Sequence, residues 1–331
     1  MMRLPPFTYL SPQTLADAAQ MLNDYGQDAM VVAGGTDLYP KMKRRQMTPK
    51  FVIGLKRLPE LRQIKTTSEG GLVLGANVIL SEAEQNPLLQ EKCAVLAKTI
   101  RLISTPLLRN MGTLGGNICL DTRCNYYDQN YDWRASINFC MKKEGTICWV
   151  AQSSPTCLAV TSTDTAPVLV ALGAQFQLVS HAGERRVLAK DFYQNDGIYY
   201  LKKQADEILT AIHLPPQEKN QVATYWKLRR RGAFDFPVLG VAVNLKKNKQ
   251  NICEDLQLVI GGIASAPIQI QKVQEFLCGK PLVEENLREV SRIAWNQIRP
   301  MNNTDFEPIW RKEISQTYIF RALKEVSETS S

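Results

Sequence analysis

Apolar residues Leu15, Ala18, Ala19 and Leu22 recur at helical spacing in the segment QTLADAAQMLNDYG. Ser11 as N-cap, Pro12 in the first turn and Gly26 at the end predict an opening helix. A short apolar run over 29–33 then predicts a buried strand that passes directly into Gly34, Gly35, Thr36 and Asp37 and a helical LYPKMKRR. Strands are expected over 51–54 and 71–76, and a helix over PLLQEKCAVLAKTIRLI. DTAPVLVALGAQFQLVS reads as helix then strand, and DEILTAIHLPP as a strand stopped by Pro215 and Pro216. Beyond these prolines the order changes. Strands over 223–228, 238–245 and 252–263 precede helices over 268–277, 284–297 and 306–324. Strands in one block and helices in the next predict an α+β domain with an antiparallel sheet, so the chain divides into 1–217 and 218–331.

Two glycine turns stand out within the first part. The first follows the predicted strand at 29–33; the second is Thr113, Leu114, Gly115, Gly116 and Asn117. Glycines lacking a Cβ let backbone N–H groups approach an anion, and a helix start adds partial positive charge. Far apart in sequence, the turns can still meet around one extended ligand such as a dinucleotide. Neither matches G-x-G-x-x-G, which argues against a nicotinamide-type Rossmann domain.

Composition changes this picture little. Hydrophobic residues at 44% and charged residues at 22% describe an ordinary globular chain, and no apolar stretch is long enough to span a membrane. The N-terminus MMRLPPFTYL has no export-type apolar run, so the expected compartment is the cytoplasm. The formal net charge of +8 is spread along the chain, and there is no nucleic-acid motif. Local basic clusters occur at Lys41, Lys43, Arg44 and Arg45, at Arg229 to Arg231, and at Lys246, Lys247 and Lys249, the last read as the polar tip of a hairpin.

The cysteines carry the most specific chemistry. Cys124, Cys140, Cys148 and Cys157 form a C-x15-C-x7-C-x8-C series in an aromatic-rich stretch without histidine. Four soft thiolates suit tetrahedral zinc or an iron–sulfur cluster. The absence of C-x2-C knuckles favours iron–sulfur, with zinc, disulfides and plain thiols as alternatives. Cys119 is a fifth thiol nearby, whereas Cys93, Cys253 and Cys278 sit among apolar residues as packing cysteines do. The stretch shows few signs of regular structure, and metal ligation would supply its missing core. Only two histidines, His181 and His213, are present, and no acid, base or nucleophile for bond making is evident, so no catalytic residue is assigned.

The segments VVAGGTDL, TLGGNI, STDTAP, DEILTAIHLP and TYWKLRRR resemble, in that order and over essentially the whole chain, the flavin-binding subunits of the xanthine dehydrogenase family of molybdenum hydroxylases. The resemblance implies a two-part FAD-binding domain of the PCMH (vanillyl-alcohol-oxidase-like) type and a C-terminal domain of the CO dehydrogenase flavoprotein type. It places FAD against Val31, Val32, Ala33, Gly34, Gly35, Thr36, Asp37 and Leu38, and against Thr113, Leu114, Gly115, Gly116 and Asn117. Further flavin contacts are implied at Ile103, Asp164, Leu209 and Lys227, with core packing the alternative role for Ile103 and Leu209.

The insertion at about 119–158, opening LGGNICLDTRC, is similar to that of 4-hydroxybenzoyl-CoA reductase β subunits, where such a loop holds a 4Fe-4S cluster. On that resemblance Cys124, Cys140, Cys148 and Cys157 are cluster ligands. The chain is then an electron-transfer subunit of a complex with a molybdopterin-binding large subunit and a small 2Fe-2S subunit, arranged as a dimer of heterotrimers. Electrons would enter from a donor such as ferredoxin through the extra cluster, cross FAD and reach molybdenum, where 4-hydroxybenzoyl-CoA is dehydroxylated to benzoyl-CoA. Alternatives are a family member acting on another aromatic or heterocyclic substrate, a zinc-stiffened binding or assembly module, and a self-contained flavin oxidase.

Overall fold

The computed structural model describes residues 3–329, which build three sheets. β1 (Thr8–Leu10), β2 (Ala29–Val32) and β3 (Phe51–Gly54) form a small parallel sheet in the order β1-β3-β2. The helix Leu15–Tyr25 crosses between its first two strands. That helix starts later than the sequence pattern predicts. Its N-cap is Thr14, because Thr14 and Asp17 form a reciprocal capping box that outcompetes Ser11 and Pro12. Gly26 ends it with φ +49°, as expected.

The second sheet has the order β4-β5-β8-β6-β7, from β4 (Ile64–Thr66), β5 (Leu72–Gly75), β6 (Gln175–Ser180), β7 (Gly183–Leu188) and β8 (Ile208–Leu214). The predicted helix before the second glycine turn is two helices, Pro87–Lys92 and Ala94–Arg101, interrupted at Cys93, whose φ of −153° breaks the helical path. β7 escapes sequence reading because it lies at the sheet edge with mostly exposed side chains and lacks an apolar alternation.

The third sheet is antiparallel, β12-β11-β10-β9, from β9 (Gln221–Leu228), β10 (Leu239–Lys247), β11 (Cys253–Gly261) and β12 (Ile268–Gln269). Both of its faces are covered, which explains the near-continuous burial of β10. Val241, Val243, Leu256 and Leu258 pack with the helices Gln271–Leu277, Glu284–Trp295 and Pro308–Glu328, whereas Tyr225, Ala242 and Val259 join the core of the N-terminal part. Asn244 on that second face donates to the Ala171 carbonyl at 2.9 Å, and a Cβ on Gly261 would crowd Pro167. The chain is thus α+β, a part built on the first two sheets followed by an antiparallel sheet with its helices. Among the described residues no helix is long and apolar enough to cross a membrane.

Two sequence expectations need correction here. Lys247 is not part of a solvated hairpin tip. It is buried and its ammonium donates to the carbonyls of Ser327 and Thr329 at 2.7 and 2.9 Å, holding the end of the last helix. Cys93 and Cys253 are buried as packing cysteines should be, but Cys278 is exposed.

Near that helix end, Glu325 accepts from Lys98 at 2.9 Å and from the Trp226 indole, tying the helix Pro308–Glu328 to Ala94–Arg101 across β9. Burial pushes the Glu325 carboxyl up, but its hydrogen bonds to Lys98 and Trp226 outweigh this and hold it below the ordinary value of 4.5. A depressed acid stabilises the fold above that ordinary value and loses the contribution as pH falls through the folded value. Acidification below about pH 4.5 should therefore lower the thermal midpoint of the wild type more than that of Glu325→Gln, as read by scanning calorimetry at stepped pH.

Candidate functional site

The carboxyl ends of the parallel strands β2 and β3 deliver the first glycine turn and Lys56 to one edge, the usual place for ligands in parallel sheets. Gly34 lies directly on the backbone that leads into the second glycine turn, because a Cβ there would overlap the Met111 carbonyl. Gly35 adopts φ +72°, and a Cβ on it would strike the ring of Tyr39. In the second turn Thr113 caps the helix Leu114–Ile118 by accepting from Gly116 N at 3.1 Å, while Gly115 N donates to the Ala76 carbonyl at 2.7 Å. The two turns therefore meet. Both helices that begin at them, Leu38–Lys43 and Leu114–Ile118, are short, and the N–H groups of Leu114, Gly115, Gly116 and Asn117 are all bonded within the chain, so the free backbone donors at this edge are those of the first turn.

Between the turns lies an open pocket lined by Ala33, Gly34, Lys56, Arg62, Asn77, Ile79, Asn110, Met111 and Thr113. Lys56, Arg62, Asn77 and Asn110 were not anticipated. The signal for Lys56 was available, as a cation at the carboxyl end of a predicted strand; the others come from a helical turn and loops without such a marker.

A second group of the expected residues is built around Asp164. Its carboxylate accepts from Tyr225 at 2.9 Å and from Lys227 at 2.8 Å, and Lys227 also donates to the Leu102 carbonyl at 3.0 Å, next to Ile103. Burial pushes the Asp164 carboxyl up and the Lys227 ammonium down, each against the pull of its partner. Asn117 joins this group to the second turn by accepting from Thr163 at 2.9 Å and from the Thr165 hydroxyl at 2.7 Å. Ile103 and Leu209 are both members of the buried N-terminal core.

The insertion is pinched shut at its base, where Arg123 N donates to Val160 O at 2.8 Å and Val160 N to Arg123 O at 2.7 Å. Inside, the one helical segment is Tyr131–Ser136. Asn138 and Phe139 take left-handed φ values of 64° and 59°, which turns the chain so that Cys140 faces inward. The Trp149 indole holds this turn by donating to the Phe139 carbonyl at 2.5 Å. Cys124, Cys140, Cys148 and Cys157 are all buried and all line one small void, walled also by Tyr126, Tyr127, Lys142, Trp149 and Ala159. Cys119 does not line it and packs against the N-terminal core instead. All eight cysteines are free thiols. Burial pushes the Cys124 thiol up to about 12 and the Cys157 thiol up to about 11. Among the described residues no three His, Cys, Asp or Glu side chains converge closely enough to hold a single metal ion.

Charge joins the thiol void to the glycine cradle. Lys41, from the helix after the first turn, is fully buried against Asp121 at 2.7 Å; Lys142 reaches the other oxygen of Asp121 at 2.8 Å; and Arg123 pairs with Asp37. Within the basic cluster at 41–45, Lys41 is thus buried and Lys43 exposed. Arg44 lies 3.9 Å from Asp128, and the main-chain carbonyls of Arg44 and Arg45 accept from Arg134.

Residues 5–217 match the family model described as the FAD binding domain in molybdopterin dehydrogenase, and residues 223–326 match that of the CO dehydrogenase flavoprotein C-terminal domain. The chain is similar to the glyceraldehyde dehydrogenase medium chain of Sulfolobus acidocaldarius, at 25% identity over 98% of this chain and 99% of the relative. It is equally similar to the carbon monoxide dehydrogenase medium chain of Hydrogenophaga pseudoflava, at 25% identity over 96% of each. The reconstituted CO dehydrogenase from Oligotropha carboxidovorans superposes with a TM-score of 0.81 at 25% identity, covering 99% of this chain and all of that one. The paired glycine turns and the sheet-and-helices domain behind them are accounted for together: the chain belongs to the family of FAD-binding medium subunits of molybdopterin dehydrogenases.

Proposed function

We propose that this chain is the electron-transfer subunit of a molybdenum-containing reductase complex, holding FAD in the cradle between its glycine turns and a 4Fe-4S cluster on Cys124, Cys140, Cys148 and Cys157. The observation that carries the reading is the convergence of those four thiols on one void. Thiols spread around a void suit a polynuclear cluster better than one zinc ion, whose sulfur ligands must all approach to about 2.3 Å. The donor set contains sulfur alone, as such clusters require. When bound, a flavin accepts one or two electrons and an iron–sulfur cluster one, so together they connect carriers of different kinds.

The chain's own residues bind and orient. Val31 to Leu38 offer backbone N–H groups to the pyrophosphate, Thr113 to Asn117 close the opposite side of the cradle with their small side chains, and Lys56 and Arg62 add positive charge at the rim. Asp164 holds Lys227 beside the Leu102 carbonyl, and Ile103 and Leu209 supply the apolar wall. Tyr126, Tyr127 and Trp149 keep water from the thiols. The proposed domain limits are 1–217, with the cysteine insertion at about 119–158, and 218–331.

The partners proposed are a molybdopterin-binding large subunit and a 2Fe-2S small subunit in a dimer of heterotrimers, with a ferredoxin-like donor. The medium chains named above support the subunit arrangement. The similarity of the insertion to that of 4-hydroxybenzoyl-CoA reductases supports removal of the phenolic hydroxyl of 4-hydroxybenzoyl-CoA as the reaction of the whole complex. A second reading, dehydrogenation or hydroxylation of a different small substrate, is favoured by the variety of relatives, which include a nicotinate dehydrogenase FAD subunit of Eubacterium barkeri.

Purified with its partners, the chain should show flavin and broad iron–sulfur absorbance, with about four iron atoms per copy beyond those of the small subunit. Cys140→Ser should lower this iron and its matching sulfide while FAD stays bound; zinc in place of iron, or unchanged iron in the variant, would sink the cluster assignment. Gly35→Val forces a branched side chain into φ +72° against Tyr39. It should weaken flavin retention by about tenfold, from strain of roughly 1–2 kcal/mol, as measured by fluorescence of released flavin after gel filtration.

A further inference from the structure

Three cations lie deep in or beside the cysteine insertion, Lys142 on the void's wall, Lys41 over the ring of Tyr127 and Arg134 beside that of Phe139. The side chains of Lys41 and Lys142 are 0% and 5% exposed, and Arg134 is 1% exposed. Facing them, Asp121 is buried to a similar depth, while Asp128 sits nearer the surface. Among the described residues Arg134 pairs with no carboxylate. Two of its guanidinium nitrogens, Nε and Nη1, have no hydrogen-bond partner, and its charge rests against the rings of Tyr131 and Phe139. Positive charge therefore exceeds negative charge in a desolvated region, an arrangement that is costly unless an anion completes it.

Lys142 is the cation on the wall of the void itself. Its ammonium donates to Asp121 Oδ1 at 2.8 Å, Thr122 Oγ1 at 2.7 Å and Gly197 O at 2.5 Å, so its three hydrogens are committed and its position is fixed. Gly197 in turn lies against Cys157, where a Cβ would come within 2.7 Å of the sulfur. Its N–H donates to the Cys157 carbonyl at 2.7 Å.

We propose that Lys142, backed by Lys41 and Arg134, sets the reduction potential of the iron–sulfur group held by the four cysteines, raising it by stabilising the more anionic reduced form. This rests on the cluster reading of the preceding section. The electron balance is simple. One electron, supplied by dithionite through mediators in the test below, takes a four-thiolate 4Fe-4S unit from net charge −2 to −3. No proton or bond need change. A fixed cation in a low-dielectric wall favours the second state over the first.

The test is potentiometric titration of the purified complex followed by electron paramagnetic resonance, comparing wild type with Lys142→Met and Lys142→Arg. In Lys142→Met, iron and FAD are retained and the reduced-to-oxidised ratio of the cluster at a fixed potential falls roughly tenfold or more, while the flavin midpoint stays in place. Lys142→Arg restores the wild-type ratio. An unchanged ratio in an iron-replete Lys142→Met protein overturns the proposal. If that variant sheds its iron, Arg134→Met serves instead: a shift of the same sign supports the proposal, and an unmoved midpoint overturns it. A wild-type chain without iron sinks the cluster reading itself, which separates the two failures.

Discussion

The buried pairing of Lys41 with Asp121 is the constraint on which the local architecture depends. Lys41 belongs to the helix that leaves the first glycine turn, and Asp121 lies at the threshold of the cysteine insertion, so one ion pair at 2.7 Å sets these two segments against each other. Neither partner has access to water. Removing one would leave an uncompensated charge in the interior, a change that costs about 3–5 kcal/mol in comparable pairs. Lys142 on the second carboxylate oxygen and the Arg123–Asp37 pair extend the same join. Burial pushes the Asp121 carboxyl up, but the two ammonium groups outweigh it and hold the acid below its ordinary value, keeping it anionic at neutral pH.

Much of this was legible in the sequence where one physical rule dominated. The apolar alternation of β9, β10 and β11 gave their positions to within a few residues, because a covered sheet leaves a dense apolar record. The glycine turns announced a cradle because a missing Cβ is visible in a one-letter string, and their meeting followed from the idea that one long ligand needs both. Cys124, Cys140, Cys148 and Cys157 stood out by their grouping in one aromatic-rich stretch, and were preferred over Cys119 on the family resemblance; the fold brings all four to one void.

What could not be read depends on partners distant in sequence. Lys41 and Lys247 look like members of solvated basic runs, yet each is buried, one by a carboxylate eighty residues on and the other by helix-end carbonyls of similar separation. Arg62 and Asn110 reach the cradle only through the packing of loops. Gly197, which no local motif marks, is required because its backbone lies against a cysteine forty residues away. The N-cap shifted from Ser11 to Thr14 for a local reason: a reciprocal pair of hydrogen bonds outweighs a plausible residue followed by proline.

The contact of Gly34 with the Met111 carbonyl has a bearing on how the molecule behaves without its prosthetic group. The cradle is a seam where two stretches of chain abut backbone to backbone. A molecule that spans such a seam binds the closed arrangement and not the parted one, so it acts as mortar, and the heat resistance of the chain becomes a function of how much flavin surrounds it.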